Sequence, residues 1–159
     1  MEFLFILLFI FQPAMLQADQ SGLLPEEIIS ADALKEKLDR SESFVLFDAR
    51  NKESFDSVHI QGAILPRTDE YYQREQLFKN GIVPKAPDQN EALSAVMQKY
   101  PRDAPIVTYC NSNCHASATL LFQLKSLGFT NLKSMEEGIQ AWEKKEYPVV
   151  RSVRTQKVS

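Results

Sequence analysis

The stretch PIVTYCNSNCHASATLLFQLKSLG, residues 105–128, decides the fold. Residues 105–109 are a proline followed by an apolar, β-branched run, and they predict the clearest strand of the chain. A helix is predicted from about residue 117 to 127, with four leucines on its inner face and Gly128 at its end. A strand that passes through a short loop directly into a helix indicates an α/β unit.

Further strands are predicted on both sides of this unit. Residues 44–47 are wholly apolar, which is typical of a strand buried on both faces. Residues 63–65, stopped by Pro66, form a second short candidate, and residues 131–133 form another. The polar and aromatic segment 67–89 is predicted to wrap the surface.

Helices are predicted between these strands from their caps and apolar stripes. Ser30 is a good N-cap for a helix over 31–38. Capping boxes at Asp88 with Glu91 and at Ser134 with Glu137 predict two more, and a fourth is predicted over 69–79. Alternating strands and helices predict one α/β domain, with a small, mostly parallel sheet and helices on both faces.

Length and composition exclude several classes of function. With 159 residues the chain suits one domain, and 18 Lys+Arg against 21 Asp+Glu leave no basic excess for binding nucleic acid. Two Cys and two His are too few for a disulfide scaffold or a His-based metal cluster. Cys110, Cys114 and His115 as a metal site would lack a fourth ligand. We therefore expect no metal and no nucleic-acid partner.

Residues 3–11 are nine consecutive apolar residues. This run is about half of the roughly 20 residues that a membrane span needs, and it suits the core of a secretory signal. We expect cleavage after Ala18 and export to the periplasm or beyond, although Glu2 and Leu16 depart from the usual signal pattern. The alternatives are an uncleaved amphiphilic anchor and a buried strand. The expected organisation is a signal at 1–18, a lead-in at 19–29, the domain at 30–150 and a polar tail at 151–159.

Cys110 is the residue around which reactive chemistry is predicted to concentrate. It follows the clearest strand directly, and ligands of open parallel sheets bind beyond the carboxyl ends of the strands. Backbone N–H groups of the loop and the positive end of the next helix would favour a thiolate and an anionic substrate there. The alternative is an inert buried thiol.

Two blocks of the sequence resemble the rhodanese-like domain family, in particular exported bacterial single-domain sulfurtransferases. Together the blocks span about residues 30–150. The residues that carry the resemblance are 45–50, 53–55 and 59–66 in the first block and 107–110, 124–129, 137–142 and 147–149 in the second.

The resemblance implies a sulfurtransferase that needs no cofactor. Cys110 matches the nucleophile that accepts a sulfane sulfur as a persulfide, from a donor of the thiosulfate or polysulfide type, and passes it to cyanide or a thiol. The loop would bind substrate through its backbone N–H groups. These substrate-binding residues are Asn111, Ser112, Asn113, Cys114, His115 and Ala116.

The loop departs from the family pattern in two ways. It carries no Arg or Lys, and this favours a donor other than thiosulfate because the dianion would lack a cation. It is also one residue longer than the commonest form, as in phosphatases and arsenate reductases of this fold. Those enzymes need an Arg at the position of Ala116, so a phosphatase is disfavoured.

Several roles and functions stay open at this stage. Cys114 is either a resolving thiol, a second sulfur acceptor or a packing residue, and His115 is either an anion contact or an ordinary exposed His. His59 is predicted to be structural, and Asp48 and Arg50 are predicted to form a structural polar pair. The competing functions are a thiol-redox protein that uses Cys110 and Cys114, and a catalytically weak sulfur-binding or partner-binding module.

Overall fold

The computed structural model describes residues 21–152. The predicted signal at 1–18 and residues 153–159 of the predicted tail lie outside the described residues. The strands are β1 (Val45–Asp48), β2 (Val58–Ile60), β3 (Ile106–Tyr109), β4 (Leu132–Met135) and β5 (Val149–Arg151). The helices are α1 (Ala31–Asp39), α2 (Lys52–Ser57), α3 (Asp69–Lys79), α4 (Gln89–Met97), α5 (Ala116–Ser126) and α6 (Gly138–Lys144), after a 3-10 turn at Pro25–Glu27.

The central sheet is parallel, with strand order β1-β3-β4. Thr108 in the middle strand lies opposite Phe47 on one side and Ser134 on the other. The predicted parallel sheet is therefore confirmed, and β3 occupies its centre. The carboxyl end of β3 leads directly to Cys110.

Helices cover both faces of this sheet, as predicted. Side chains of a strand point alternately to its two faces. Phe47 and Ile106 pack in one cluster with α4 and α5, whereas Leu46 and Val107 pack in the other with α1 and α6. The alternation explains why the strands are apolar throughout, since each face has its own core.

A second sheet was not predicted from the sequence. β2 and β5 pair antiparallel, with His59 opposite Val150. Arg151, the first residue of the predicted polar tail, is the last residue of β5 and lies opposite Val58. The predicted strand at 63–65 is reduced to one bridge, in which Ile64 pairs with Phe47 at the edge of the central sheet.

The helix caps were predicted with one error. The side chains of Ser30 and Asp88 accept backbone hydrogen bonds at the starts of α1 and α4. Ser134 caps nothing, because it is buried inside β4 and its hydroxyl contacts Glu136. Glu137 is the N-cap of α6, yet its carboxylate accepts the backbone N–H of Ala31 instead.

The segment 67–89 lies only partly at the surface. It contains α3, whose N-cap is Thr68, but Tyr71 and Tyr72 are buried at 5% and 6% exposure. Aromatic rings in a polar segment therefore anchor it to the domain. None of the helices between residues 21 and 152 has the length and apolar character that crossing a membrane requires.

Candidate active site

Cys110 lies at the carboxyl end of the middle strand of the sheet. The residue is 2% exposed, and its carbonyl accepts a hydrogen bond of 2.9 Å from the backbone N–H of Ile139. The first turn of α6 thus holds the backbone at the start of the loop. The sequence correctly predicted the position of Cys110 at the sheet end.

Cys110 and Cys114 form a disulfide across the loop, with their Cα atoms 6.1 Å apart. The backbone N–H of Ala116 donates to Sγ of Cys114 at 3.5 Å, so the first amide of α5 faces this sulfur. The pairing of the two cysteines, which the sequence left open, is therefore part of the structure. The loop is therefore in its oxidised form, and neither sulfur is a thiolate that could act as a nucleophile.

Residues of α6 contact the loop between Cys110 and Cys114 and fix its backbone. Gln140 accepts the backbone N–H of Ser112 at 2.7 Å and its hydroxyl at 3.2 Å, and donates to Oδ1 of Asn111 at 3.0 Å. Gly138 has a φ of +73°, and a Cβ there would lie 2.1 Å from the backbone nitrogen of Ser112. The loop and α6 therefore share one closely packed backbone surface.

Two of the loop amides predicted to face substrate have partners already. The N–H of Ser112 is bound to Gln140, and the N–H of Ala116 points to Cys114. Asn113 is exposed and has a φ of +58°, which turns the chain at the middle of the loop. In the oxidised form the loop is thus not an open cradle of six amides.

His115 is the N-cap of α5, and its side chain is exposed without a capping hydrogen bond. Its carbonyl accepts the backbone N–H of Thr119 at 2.9 Å, which starts the helix. The position leaves its imidazole facing solvent beside Cys114. A role as an anion contact stays a prediction.

Asp48 and Arg50 form the predicted polar pair beneath the site. Arg50 donates to both carboxylate oxygens of Asp48 at 2.6–3.1 Å and to the carbonyl of Val58 at 2.5 Å. Tyr109 adds a hydroxyl bond of 2.6 Å to Asp48. Burial and the neighbouring Asp48 carboxylate raise the pKa of Tyr109, so its hydroxyl stays protonated. These hydrogen bonds among Asp48, Arg50 and Tyr109 connect the ends of β1 and β3.

His59 is a structural residue, as predicted. Its ring stacks on Phe55 with centroids 3.9 Å apart, and Nδ1 lies 2.8 Å from the carbonyl of Phe55. Both contacts are within the α2–β2 connection. Among residues 21–152 there is no group of three or more His, Cys, Asp and Glu side chains arranged to hold a metal ion.

Gly138 and Gln140 are site residues to which the sequence assigned no role. Both lie in the block 137–142, about 28 residues from the loop that they contact. The only signal in the sequence was a glycine inside the helix predicted to follow Ser134, a position that glycine disfavours. Their contact with the loop depends on the tertiary packing of α6.

Comparison with known proteins agrees with the family resemblance seen in the sequence. The family model for the rhodanese-like domain matches residues 30–145. The probable adenylyltransferase/sulfurtransferase MoeZ of Mycobacterium tuberculosis is 29% identical over 120 residues, which is 76% of this chain and 25% of MoeZ. The chain therefore spans about a quarter of the length of this curated relative.

Solved structures share the fold at low sequence identity. The rhodanese-like domain of the Anabaena protein Alr3790 has a TM-score of 0.60 and 18% identity, covering 84% of this chain and 85% of that one. The human single-domain sulfurtransferase TSTD1 has a TM-score of 0.51 and 20% identity, covering 75% and 96%. The family match covers most of the chain, including the whole segment from Cys110 through α6, and the chain belongs to the rhodanese-like domain family.

Proposed function

We propose that this protein is a sulfurtransferase in which Cys110 carries the transferred sulfur as a persulfide. The observation that carries the proposal is the position of Cys110, at the carboxyl end of the central strand and at the start of the loop that leads into α5. Membership of the family supports sulfur transfer as the class of reaction. The donor, of the thiosulfate or polysulfide type, and the acceptor, a thiol or cyanide, are the finer part of the proposal.

The reaction consists of two displacements at sulfur. The Cys110 thiolate attacks the sulfane sulfur of the donor, and the bond between that sulfur and the rest of the donor breaks with its electron pair. With thiosulfate the leaving group is sulfite. The acceptor nucleophile then attacks the outer sulfur of the Cys110 persulfide, and the Cys110 thiolate is regenerated.

The disulfide defines an inactive form of this cycle. Cys110 bonded to Cys114 has no thiolate, so a thiol reductant must first donate two electrons and leave both cysteines reduced. We therefore expect sulfur transfer only after reduction. The helix start and the loop amides then favour the thiolate of Cys110.

The test is the intact mass of the reduced protein after exposure to thiosulfate or polysulfide. We expect a gain of one sulfur atom on Cys110 in the parent and in Cys114→Ser, and none in Cys110→Ser. Cys114→Ser is the matched control because it removes one loop thiol and the disulfide but leaves the nucleophile. A parent protein that gains no sulfur from either donor would contradict the proposal.

A thiol-redox function is the second candidate, and the disulfide itself favours it. In that function the Cys110–Cys114 bond accepts two electrons from a dithiol substrate, which becomes a disulfide. Sulfur transfer needs Cys110 alone, whereas dithiol oxidation needs both cysteines. Equal loss of activity in Cys110→Ser and Cys114→Ser would therefore identify the redox function.

A further inference from the structure

The disulfide shows which sulfur atoms the cysteine loop brings into contact. Cys110 and Cys114 are the two cysteines of the chain, and their Sγ atoms are bonded to one another within one short loop. Their Cα atoms are 6.1 Å apart. The loop therefore places Cys114 where its sulfur can attack Sγ of Cys110.

Contacts outside the disulfide hold the loop in this geometry. The carbonyl of Cys110 accepts the backbone N–H of Ile139 at 2.9 Å, and Gln140 accepts the backbone N–H of Ser112 at 2.7 Å. Neither bond involves a sulfur atom, so neither depends on the oxidation state of the cysteines. We expect the two sulfur atoms to stay within reach of one another in the reduced protein.

The surroundings of Cys114 suit a nucleophile. The backbone N–H of Ala116 donates to Sγ of Cys114 at 3.5 Å, at the start of the eleven-residue helix α5. Residues 111–116 include no carboxylate that would oppose a negative charge. Because an amide donor and the positive end of a helix both stabilise a thiolate, Cys114 is placed to react rather than only to pack.

We propose that the Cys114 thiolate resolves the Cys110 persulfide and releases the transferred sulfur as hydrosulfide. The proposal rests on the proposed function, because it starts from the persulfide, and it gives the site a second activity with its own product. It assigns to Cys114 one of the roles that the sequence left open. The Cys110–Cys114 disulfide is then also a product of turnover.

The step is a displacement at the inner sulfur of the persulfide. The Cys114 thiolate attacks Sγ of Cys110, and the bond between that atom and the outer sulfur breaks. The electron pair leaves with the outer sulfur, which carries a proton from solvent and departs as hydrosulfide. The sulfane sulfur gains two electrons, and the two cysteines lose them as they form the disulfide. Two thiol groups of an external reductant then restore both cysteines and become a disulfide themselves.

Transfer to an acceptor and release of hydrosulfide start from the same persulfide but at different atoms. Cys110 is 2% exposed, whereas Cys114 is half-buried in the same loop. An external acceptor therefore meets the outer sulfur, and the inner sulfur is left to Cys114. The two routes compete, so a high concentration of acceptor favours transfer and a low one favours hydrosulfide.

The test follows a single turnover without any external thiol. The reduced parent, Cys114→Ser, Cys110→Ser and Thr119→Ser proteins are freed of reductant and mixed with a stoichiometric amount of thiosulfate or hydropolysulfide. Intact mass over time detects the added sulfur and the disulfide, and a fluorescent sulfide probe counts the hydrosulfide formed from thiosulfate. Thr119→Ser is the matched control, because it changes an exposed side chain of α5 and keeps both thiols.

We expect the parent and Thr119→Ser to gain one sulfur atom at early times and then to lose it as the disulfide and hydrosulfide appear. In Cys114→Ser the persulfide should last about 100-fold longer and release no hydrosulfide over that time. The reason is that a tethered thiol acts at a millimolar or higher effective concentration, against about 10 μM for thiols of other protein molecules. Cys110→Ser should gain no sulfur.

The outcomes separate this proposal from the proposed function. A persulfide that lasts equally long in the parent and in Cys114→Ser would overturn the resolving role and leave sulfur transfer intact. Peptide mapping that finds the added sulfur on Cys114 of the parent would also overturn it, because Cys114 would then attack the outer sulfur. A folded Cys114→Ser protein, checked by thermal unfolding, that gains no sulfur from either donor would contradict sulfur transfer itself.

Discussion

Gly138 is the residue at which the loop and α6 come closest. Its φ of +73° is in the left-handed region, and a Cβ would lie 2.1 Å from the nitrogen of Ser112 and 2.4 Å from the carbonyl carbon of Asn111. Both of these atoms belong to the backbone and cannot rotate away. The approach of the cysteine loop to α6 therefore requires glycine at this position.

Gly138→Ala should destabilise the protein more than Gly62→Ala. Both positions have positive φ, at +73° and +87°, and this costs an alanine about 1–2 kcal/mol. Only Gly138 adds a collision, which costs about 1–3 kcal/mol more, because a Cβ at Gly62 meets nothing within 4 Å. Urea unfolding of the two variants and the parent measures the change in the free energy of unfolding at each glycine.

The loop itself provides a second readout for this substitution. Gly138→Ala should also slow persulfide formation, since Ser112 and Asn111 must move, while Gly62→Ala should leave the rate unchanged. Equal losses of stability at the two glycines would show that φ alone matters and that the loop does not need this close contact.

At the scale of elements, one hydroxyl group connects three strands. Tyr109 of β3 donates to Asp48 of β1 at 2.6 Å and accepts the backbone N–H of Ile60 of β2 at 3.1 Å. All three residues are buried. The hydroxyl therefore joins the central sheet to the small antiparallel sheet.

Tyr109→Phe should lower the free energy of unfolding by about 1–3 kcal/mol. The change leaves a buried N–H without an acceptor and removes a donor from a buried carboxylate. Tyr147→Phe is the control, because the Tyr147 hydroxyl donates to the exposed Asp32 and water can replace it there. Chemical denaturation that finds the two variants equally stable would contradict this role of Tyr109.

The elements that the sequence predicted best are those whose signals are local. β3 and α5 follow from a run of apolar residues and a stripe of leucines, and α1 and α4 from their N-caps. β2 and β5 have three residues each and pair with one another across about 90 residues. Nothing within either segment specifies that pairing.

The candidate site also contains features that have a local sequence signal and features that depend on tertiary packing. The place of Cys110 at the sheet end follows from the strand that precedes it, and the structure agrees. The contacts of Gln140 with the loop arise from the packing of α6 against it, so no local pattern indicates them. The segment around Tyr72 has a polar composition, which hid the burial of its aromatic rings.

At the scale of the whole molecule, the state of the two cysteines depends on the compartment. The Cys110–Cys114 disulfide suits an oxidising compartment, whereas sulfur transfer requires reduced Cys110. We propose that the apolar core at residues 3–11 exports the chain. The protein would then need a thiol reductant outside the cytoplasm for each entry into the catalytic cycle.

Export is predicted to depend on the apolar core and to end in cleavage after Ala18. Leu7→Arg places a charge in the middle of that core, so it should retain the chain in the cytosol with Met1 intact and both thiols reduced. Glu2→Arg introduces the same residue before the core, where signals are normally positive, and export should persist.

In a bacterial host with a periplasm, amino-terminal sequencing of cell fractions measures cleavage, and thiol alkylation measures whether the two cysteines are reduced. The exported parent and Glu2→Arg should begin at Asp19 and contain the disulfide, because cleavage and oxidation both follow translocation. Parent protein with Met1 in the cytosolic fraction would contradict export. Parent protein with Met1 in the membrane fraction would identify residues 3–11 as an uncleaved anchor, and the domain would then work at the membrane surface.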